Sequence, residues 1–453
     1  MSDLKSYVAK HRDRMMEELK ELLRIPSIST TPANATDCRS AADWVAGHLR
    51  HLGCEQVDLL GSDTHPTVVA EGPKVPGKPT VLAYGHYDVQ PPEPLDEWDS
   101  GPFDPTIRDG SLYARGATDD KGQVFAIVKA FEAVSKGGKP PVNVRFIIEG
   151  EEETGSEVLT KLLEQRPELV KGDAAIVADT QYYAPGWPAI EVGLRGIVYG
   201  EITVRTATTD LHSGLYGGAA PNAHETLVHL LTKLKTEKGR IRIPGVYEAV
   251  KRPPKAQRDD WEKLPFDQGK FMRDEVGSKA LTGLTQYSVF ERLWALPTFE
   301  IHGIRGGFTG EGAKTVIPAE ATAKFSLRLV PDQKQKTVEK QVTRAVKQLA
   351  PKWADVSVSF IHGADPVLVN ADSKPFELID QAFKEVEGRN VVLTRSGGSI
   401  PIVSDLGKEG APVLLAGIGL PDDRLHAPNE KLGVEQFYNG VQVFGRFMEL
   451  MGR

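Results

Sequence analysis

The stretch Pro79-Thr-Val-Leu-Ala-Tyr-Gly-His-Tyr-Asp-Val89 joins an apolar, β-branched run to a histidine and an aspartate. The run predicts a buried strand that ends near Tyr84. Because side chains alternate between the two faces of a strand, His86 and Asp88 should point the same way. A histidine that binds a metal needs an acceptor on its second ring nitrogen, and Asp88 is placed to supply it. For this pair alone, a core histidine beside a turn aspartate is the more common explanation, so the rest of the chain has to decide.

Acidic side chains recur where other predicted strands end. They follow a short hairpin arm, an apolar strand that begins at Val144 and the apolar strand Asp173–Asp179. Open α/β sheets bind ligands at the carboxyl ends of their strands, and crowded carboxylates repel one another unless a cation compensates. The acidic residues concerned are Asp119, Asp120, Glu149, Glu151, Glu152, Glu153 and Asp179.

A fifth strand, Ala411–Gly417, leads into a loop that carries His426. Each residue has an ordinary explanation when taken alone. Asp119 and Asp120 open an amphipathic run, for example, and helix capping accounts for one of them. Five strand ends that each offer a metal ligand are much harder to explain by capping and surface charge, so we interpret them as one metal centre.

In chain order, these residues resemble the co-catalytic zinc exopeptidase family, which contains carnosinases, cytosolic non-specific dipeptidases, aminoacylases and desuccinylases. The resemblance covers nearly the whole chain and is strongest to the carnosinase and non-specific dipeptidase branch. It rests on the motifs GHYDVQP, RGATDDKG, EGEEETGS, DLHSGLYGG, GAKTVIP, FSLRLVPD, GGSIP and LHAPNEK.

The resemblance implies a dinuclear centre with two divalent metal ions per chain, zinc by ligand type, with manganese or cobalt as alternatives. Asp119 would bridge the two ions, Glu152 would be the general base, and Asp88 would orient and polarise His86. One ion would also bind His86 and Asp179, and the other Glu153 and His426. The implied metal ligands are therefore His86, Asp119, Glu153, Asp179 and His426.

The resemblance also implies substrate contacts. His212, in the glycine-rich DLHSGLYGG motif, would stabilise the developing oxyanion across a subunit interface, which implies a homodimer. Arg328 would bind the substrate carboxylate bidentately. Arg395 and the Gly398-Ser399 turn would line the same subsite.

The leading hypothesis is a metal-dependent dipeptidase that hydrolyses dipeptides or short peptides with a free C-terminal carboxylate. An N-acyl amino-acid amidohydrolase, of the deacetylase or desuccinylase type, is the alternative enzyme. A non-catalytic binding protein on a degenerate peptidase fold is the alternative from another class, and the intact set of ligands and base argues against it. Ser396, where the branch often has an acidic residue, and Glu151, where it often has an uncharged one, depart from the pattern.

The pattern of elements predicts an α/β catalytic domain with a mostly parallel sheet flanked by helices, interrupted by an α+β lid and dimerisation domain. We expect the catalytic domain at residues 1–195 and 371–453 and the insertion at residues 196–370. Within the insertion, the proline- and charge-rich stretch Ile243–Asp260 is predicted to be a loop.

The composition indicates an intracellular enzyme. The chain has 453 residues, of which 40% are hydrophobic, and this length favours two domains. A net charge of −7 argues against a nucleic-acid partner. We expect no membrane partner, because no apolar run approaches the roughly 20 residues that span a bilayer. The two cysteines and the absence of a signal-peptide pattern favour a cytoplasmic location.

Overall fold

The computed structural model describes residues 2–136, 138–397, 400 and 402–453. Its α-helices are α1 (Ser2–Leu23), α2 (Ala35–His51), α3 (Lys121–Ser135), α4 (Glu157–Gln165), α5 (Ser213–Tyr216), α6 (Ala223–Leu234), α7 (Lys255–Glu262), α8 (Gln268–Lys270), α9 (Val289–Trp294), α10 (Gln335–Leu349), α11 (Lys374–Glu387), α12 (Val403–Leu406) and α13 (Val434–Met451). Its strands are β1 (Gln56–Leu60), β2 (Thr67–Glu71), β3 (Thr80–His86), β4 (Thr106–Arg108), β5 (Ser111–Tyr113), β6 (Asn143–Glu149), β7 (Ala174–Val177), β8 (Ala189–Leu194), β9 (Gly196–Arg205), β10 (Leu211–His212), β11 (Thr298–Gly306), β12 (Val316–Ile317), β13 (Glu320–Leu329), β14 (Asp355–Ala364), β15 (Val367–Leu368), β16 (Val392–Ser396), β17 (Val413–Leu415) and β18 (Lys431–Gly433). None of the helices in the described part of the chain is both long and apolar enough to cross a bilayer.

The chain forms two compact units. The first unit comprises Met1–Val192, Val369–Thr394 and Ile400–Arg453, and the second comprises Gly193–Leu368 and Arg395–Ser399. The first unit is therefore discontinuous in sequence, and the segment that interrupts it has a hydrophobic core of its own.

The first unit is built on a mixed sheet in which β1, β2, β6, β3, β7, β17 and β8 lie side by side in that order. β3 pairs in parallel with β6 and β7, and β17 pairs in parallel with β7, whereas the outer pairs are antiparallel. The sequence predicted β3, β6, β7 and β17 as apolar runs, and the parallel arrangement of these four strands confirms the α/β class. Their carboxyl ends lie at one edge of the sheet, where His86 pairs with Glu149 in register.

Helix α3 lies against β3 and packs on α1 and α13. Nearly all of its side chains are buried, so residues on every face of the helix contribute to the core. Asp120 lies at its N-cap position, but the side chain makes no capping hydrogen bond. Instead, the Asp120 Oδ2 atom accepts a hydrogen bond from the backbone N–H of His86 at 3.2 Å. The capping explanation suggested by the sequence is therefore wrong, because Asp120 ties the helix start to the end of β3.

The second unit contains an antiparallel sheet of β11, β13, β9 and β14 in that order. Residues along β9 alternate between buried and partly exposed, and the buried face packs with α6 and α10. These strands and helices confirm the α+β class predicted for the insertion. The expectation of a loop throughout Ile243–Asp260 is wrong, because α7 begins at Lys255. Buried Trp261 holds this short helix through an edge contact with Trp294 at 5.1 Å.

Candidate metal centre

His86 ends β3 and is completely buried. Its Nδ1 atom donates to the backbone carbonyl of Asp88 at 3.1 Å and lies 3.3 Å from Asp88 Oδ1. Its Nε2 atom lies 3.2 Å from Asp119 Oδ1 and 3.9 Å from Asp179 Oδ2. A neutral ring that donates from Nδ1 has its lone pair on Nε2, which is the form that binds a metal. The structure therefore brings together His86, Asp119 and Asp179 as the sequence predicted.

A second group forms on the other side of Asp119. The His426 Nε2 atom lies 2.9 Å from Asp119 Oδ2 and 3.5 Å from Glu153 Oε1. His426 has a φ of 57°, in the left-handed region, and its side chain is half exposed. One carboxylate oxygen of Asp119 thus faces each group, which is the geometry of a bridging ligand.

In this cluster, the carboxylates of Asp119, Asp179 and Glu153 are crowded around the imidazole rings of His86 and His426. Burial raises the pKa of Asp179 well above its usual value, and the carboxylate of Asp119 adds to the shift. Burial together with Asp119 also raises the pKa of Glu153 to about 7. The hydrogen bond to Asp119 raises the pKa of His426 to about 9. Positive charge between these groups would relieve the repulsion among the carboxylates.

The residues present fit two divalent metal ions. The His86 Nε2 atom is buried without a hydrogen-bond partner among the described residues, although carboxylate oxygens surround it. A buried polar atom without a partner is costly, and coordination would satisfy it. One imidazole and two carboxylates per group suit zinc and are also compatible with manganese or cobalt.

Glu152 lies beside both groups and belongs to neither. It begins a short 3-10 helix, Glu152–Thr154, directly after β6. Burial raises the pKa of its side chain to about 8, and the carboxylates of Glu153 and Glu149 contribute further. A buried carboxylate beside two candidate metal-binding groups, and outside both of them, is placed to act as a general base.

Asp88 has a second contact that sequence patterning did not reveal. Its Oδ1 atom accepts from the backbone N–H of Glu152 at 3.3 Å, and its Oδ2 atom accepts from that of Glu153 at 3.2 Å. One buried carboxylate therefore positions both His86 and the segment that carries the base. Gln90, which follows in the same motif, donates to Glu153 Oε2 at 2.7 Å.

Glu430 is the other positioning residue that the sequence analysis missed. It is fully buried, and its Oε1 atom accepts from the backbone N–H groups of Thr118 and Asp119 at 2.9 and 3.0 Å. Its Oε2 atom accepts from Arg115 Nη1 at 2.7 Å. The LHAPNEK motif contains Glu430, but its partners lie more than 300 positions earlier, so no local spacing indicates them.

We expect the substitution Glu430→Ala to lower the free energy of unfolding by about 3–5 kcal/mol, because it leaves the buried Arg115 guanidinium without its carboxylate. Urea denaturation followed by circular dichroism measures this change. The control Arg39→Ala removes an exposed pair with Asp43 and should cost about 0.5 kcal/mol or less. Equal effects of the two substitutions would contradict the assigned role of Glu430.

The predicted substrate-contacting residues that the structure describes all belong to the second unit. His212 is exposed at the end of β10, Arg328 is half-buried on β13, and Arg395 is buried on β16. Gly398 and Ser399 lie outside the described residues.

A further cluster, formed by Glu18, His48 and Glu132, has metal-like geometry but is already neutralised. The Lys129 ammonium donates to His48 Nε2 at 2.8 Å and to Glu132 Oε2 at 2.7 Å, and it also pairs with Glu18. Burial, followed by the Lys129 charge, lowers the pKa of His48 to about 4. A lysine therefore occupies the centre of this cluster, and the groups around Asp119 are the candidate metal centre.

Comparison with known proteins agrees with this geometry. The model of peptidase family M20/M25/M40 matches residues 82–450. A Cys-Gly metallodipeptidase of Schizosaccharomyces pombe is 31% identical to this chain, and the match covers 98% of this chain and 97% of the relative. The Beta-Ala-His dipeptidase of Homo sapiens is 33% identical over 97% of this chain and 90% of its own. The crystal structure of human carnosine dipeptidase 1 superimposes with a TM-score of 0.84 at 33% identity, and the match covers 100% of this chain and 98% of that one. The chain therefore belongs to peptidase family M20/M25/M40, which confirms the family that its motifs indicated.

Proposed function

We propose that the protein is a metal-dependent dipeptidase that hydrolyses the amide bond of dipeptides with a free C-terminal carboxylate. The observation that carries the proposal is the position of Asp119, which offers one oxygen to each of two metal-binding groups beside a carboxylate of raised pKa. The relatives named above are themselves dipeptidases, which supports the same reaction class.

The groups of the first unit divide the chemistry between them. When bound, two divalent cations would acidify a water molecule and polarise the substrate carbonyl. Glu152 takes the proton of the attacking water and returns it to the leaving amine. Asp88 keeps this base in position through the backbone N–H of Glu152, and it holds the His86 ring in the tautomer that leaves Nε2 free to bind a metal.

His212 and Arg328 supply substrate contacts in this proposal. The His212 Nδ1 atom accepts from the backbone N–H of Gly214 at 3.0 Å, which places the ring proton on Nε2. The exposed Nε2–H can then donate to an oxyanion. The half-buried guanidinium of Arg328 can bind the α-carboxylate of the substrate bidentately.

An N-acyl amino-acid amidohydrolase would need the same metals and base but a different pocket for the acyl group. The metal-binding residues would be the same for both activities, so they do not distinguish them. The dipeptidase relatives favour dipeptide hydrolysis. The DLHSGLYGG motif, followed by Ala219-Ala-Pro, also favours it, because this pattern resembles the dipeptidase branch.

A substrate panel tests the proposal. Chelated protein is assayed on dipeptides and on N-acetyl and N-succinyl amino acids, with and without added zinc or manganese. We expect cleavage of dipeptides only after metal is added. Turnover restricted to acylated amino acids in a metal-loaded preparation would replace the dipeptidase with the amidohydrolase.

We further propose a homodimer formed through the second unit. Strand β11 is at the edge of its sheet, and the apolar side chains of Ile301, Ile304 and nearby Val228 on α6 are exposed. An exposed edge strand with apolar side chains readily pairs with a second chain. In such a dimer, His212 of the partner subunit would complete the site.

The cross-subunit role of His212 predicts complementation between two inactive variants. When the Glu152→Gln and His212→Ala proteins are mixed and allowed to exchange subunits, the mixed dimer contains one site with both groups intact. We expect about one quarter of wild-type activity after random exchange, whereas each variant alone stays inactive. Light scattering and an affinity tag on one variant measure the exchange. If mixed dimers form but show no activity, the His212 and Glu152 that serve one site belong to the same chain, and the cross-subunit role fails.

The proposed domains are a catalytic domain of residues 1–195 and 371–453 and an insertion of residues 196–370. The two compact units divide the chain within three residues of these bounds, except that residues 395–399 group with the second unit. The cytoplasmic location stays a prediction. Both cysteines, Cys38 and Cys54, are buried free thiols, as expected for a protein of a reducing compartment.

A further inference from the structure

The second metal-binding group, formed by Asp119, Glu153 and His426, contains two ligands of unequal burial. The Glu153 side chain is 5% exposed, whereas that of His426 is 54% exposed. Surrounding side chains hold a half-exposed ring less firmly than a buried one. The position of His426 therefore depends on how the backbone of its loop is fixed.

The loop that carries His426 has an unfavourable backbone conformation. Arg424, His426 and Asn429 have φ values of 60°, 57° and 61°, all in the left-handed region. Residues other than glycine adopt this region at a cost, and they persist in it only where the surrounding structure holds them there. The loop consequently needs anchors outside itself, and Asn429 provides one.

Asn429 ties this loop to the segment Gln90–Asp99, which we call the strap. The Asn429 side chain is 7% exposed. Its Nδ2 atom donates to the backbone carbonyl of Glu97 at 2.9 Å, and its Oδ1 atom accepts from the backbone N–H of Asp99 at 3.0 Å. Both polar ends of one amide group are satisfied by the same short stretch, so the His426 loop is fixed to the C-terminal end of the strap.

The N-terminal end of the strap contacts the other ligand. The Gln90 Nε2 atom donates to Glu153 Oε2 at 2.7 Å. The remaining carboxylate oxygen, Oε1, lies 3.5 Å from His426 Nε2. Because Gln90 binds one oxygen of Glu153, it sets the rotation of the carboxylate group and directs the other oxygen toward His426.

The strap is stiff between these two ends. Pro91, Pro92 and Pro94 have φ angles fixed by their rings. The Trp98 Nε1 atom donates to the backbone carbonyl of Pro92 at 2.7 Å, and Arg115 Nη2 donates to that of Pro91 at 3.1 Å. A stiff segment keeps the separation of its two ends nearly constant. The strap and both ligands belong to the first compact unit.

We propose that the strap positions both Glu153 and His426, with Gln90 and Asn429 as the positioning residues. The strap then sets how tightly the second group holds a metal ion, while Asp88 orients His86 of the other group. This inference rests on the metal centre of the proposed dipeptidase. Neither Gln90 nor Asn429 belongs to a metal-binding group, so replacing them changes the second group without removing a ligand.

Zinc titration tests the strap without any substrate. Chelated full-length protein is titrated with zinc in competition with a chelating dye, which gives a dissociation constant for each of two ions. The variant His426→Ala identifies the constant that belongs to the second group. In Gln90→Ala and in Asn429→Gly, we expect this constant to rise about 10- to 100-fold, the usual effect of removing a residue that orients a ligand, while the other constant stays unchanged. Glycine adopts the left-handed region readily, so Asn429→Gly removes the two hydrogen bonds without adding backbone strain.

The substitution Asn143→Ala is the matched control. The Asn143 amide also binds the backbone of a distant loop, since it accepts from the N–H of Val75 at 2.7 Å and donates to the carbonyl of Lys78 at 2.8 Å. Asn143 begins β6, at the opposite end of that strand from Glu149. Both zinc constants should keep their wild-type values in this variant. A loss of zinc affinity equal to that in Asn429→Gly would show a general effect of lowered stability and would overturn the strap.

The remaining outcomes separate the strap from the proposed function. Wild-type constants in both strap variants, or an equal rise of both constants, would overturn the strap even if the wild type cleaves dipeptides. Wild-type protein that binds only one ion would overturn it as well, because there would be no second group to position. Loss of affinity confined to the second ion, in a protein whose wild type cleaves no dipeptide, would support the strap and refute the dipeptidase.

Discussion

The substitution Glu152→Gln is expected to lower kcat for dipeptide hydrolysis by about 10²- to 10⁴-fold, the contribution of a well-placed general base. Glutamine has nearly the same size but cannot take a proton from water. Because Glu152 belongs to neither metal-binding group, the variant should bind as much metal as the wild type. Steady-state kinetics and metal analysis of the same preparation measure both quantities.

The neighbouring substitution Glu151→Gln is the matched control, since Glu151 precedes the base and is also outside the two metal-binding groups. It should change kcat only slightly. If Glu152→Gln lost its metal, Glu152 would have to be regarded as a ligand. If it kept more than a tenth of the activity, another group would have to be the base.

The substitution Asp119→Ala is expected to remove both metal ions, whereas His426→Ala should remove mainly one. Asp119 Oδ1 faces His86 and Asp119 Oδ2 faces His426, so this single side chain serves both groups. After dialysis, elemental analysis should find about two ions per wild-type chain, about one for His426→Ala and fewer still for Asp119→Ala.

The control for this series is Asp422→Ala. Asp422 lies on the same loop as His426, and its exposed carboxylate pairs with Lys431. Its metal content should equal that of the wild type. Circular dichroism of each variant shows whether it is folded, so that metal loss is not confused with unfolding. One retained ion in a folded Asp119→Ala protein would show that Asp119 serves a single site, and the bridging assignment would fail.

Sequence patterning predicted the strands that matter for the centre because their signals are local. β3, β6 and β7 are short apolar runs, and each is followed by a polar side chain where the strand ends. Parallel strands in a sheet bring those ends to one edge, so proximity follows from the fold class. His86, Asp119 and Asp179 therefore meet as expected. The motifs that carry them also sufficed to identify the family.

Contacts between distant segments had no such local signal. Asp88 accepts from the backbone of Glu152 and Glu153, and Glu430 accepts from that of Thr118 and Asp119. Backbone N–H groups occur at nearly every residue, so no residue type indicates which carboxylate will bind them. The same holds for α7, where a proline- and charge-rich stretch becomes helical once Trp261 is buried.

The sequence by itself determined the fold class, the order of the elements and the chemical identity of the metal-binding groups, because hydrophobic periodicity and residue type are properties of short segments. The tertiary structure alone decided that Asp88 also accepts from the backbone N–H groups of Glu152 and Glu153. It also decided that Glu430 accepts from the backbone N–H groups of Thr118 and Asp119. Both arrangements depend on the relative positions of segments far apart in the chain, which only the packing of the folded protein sets.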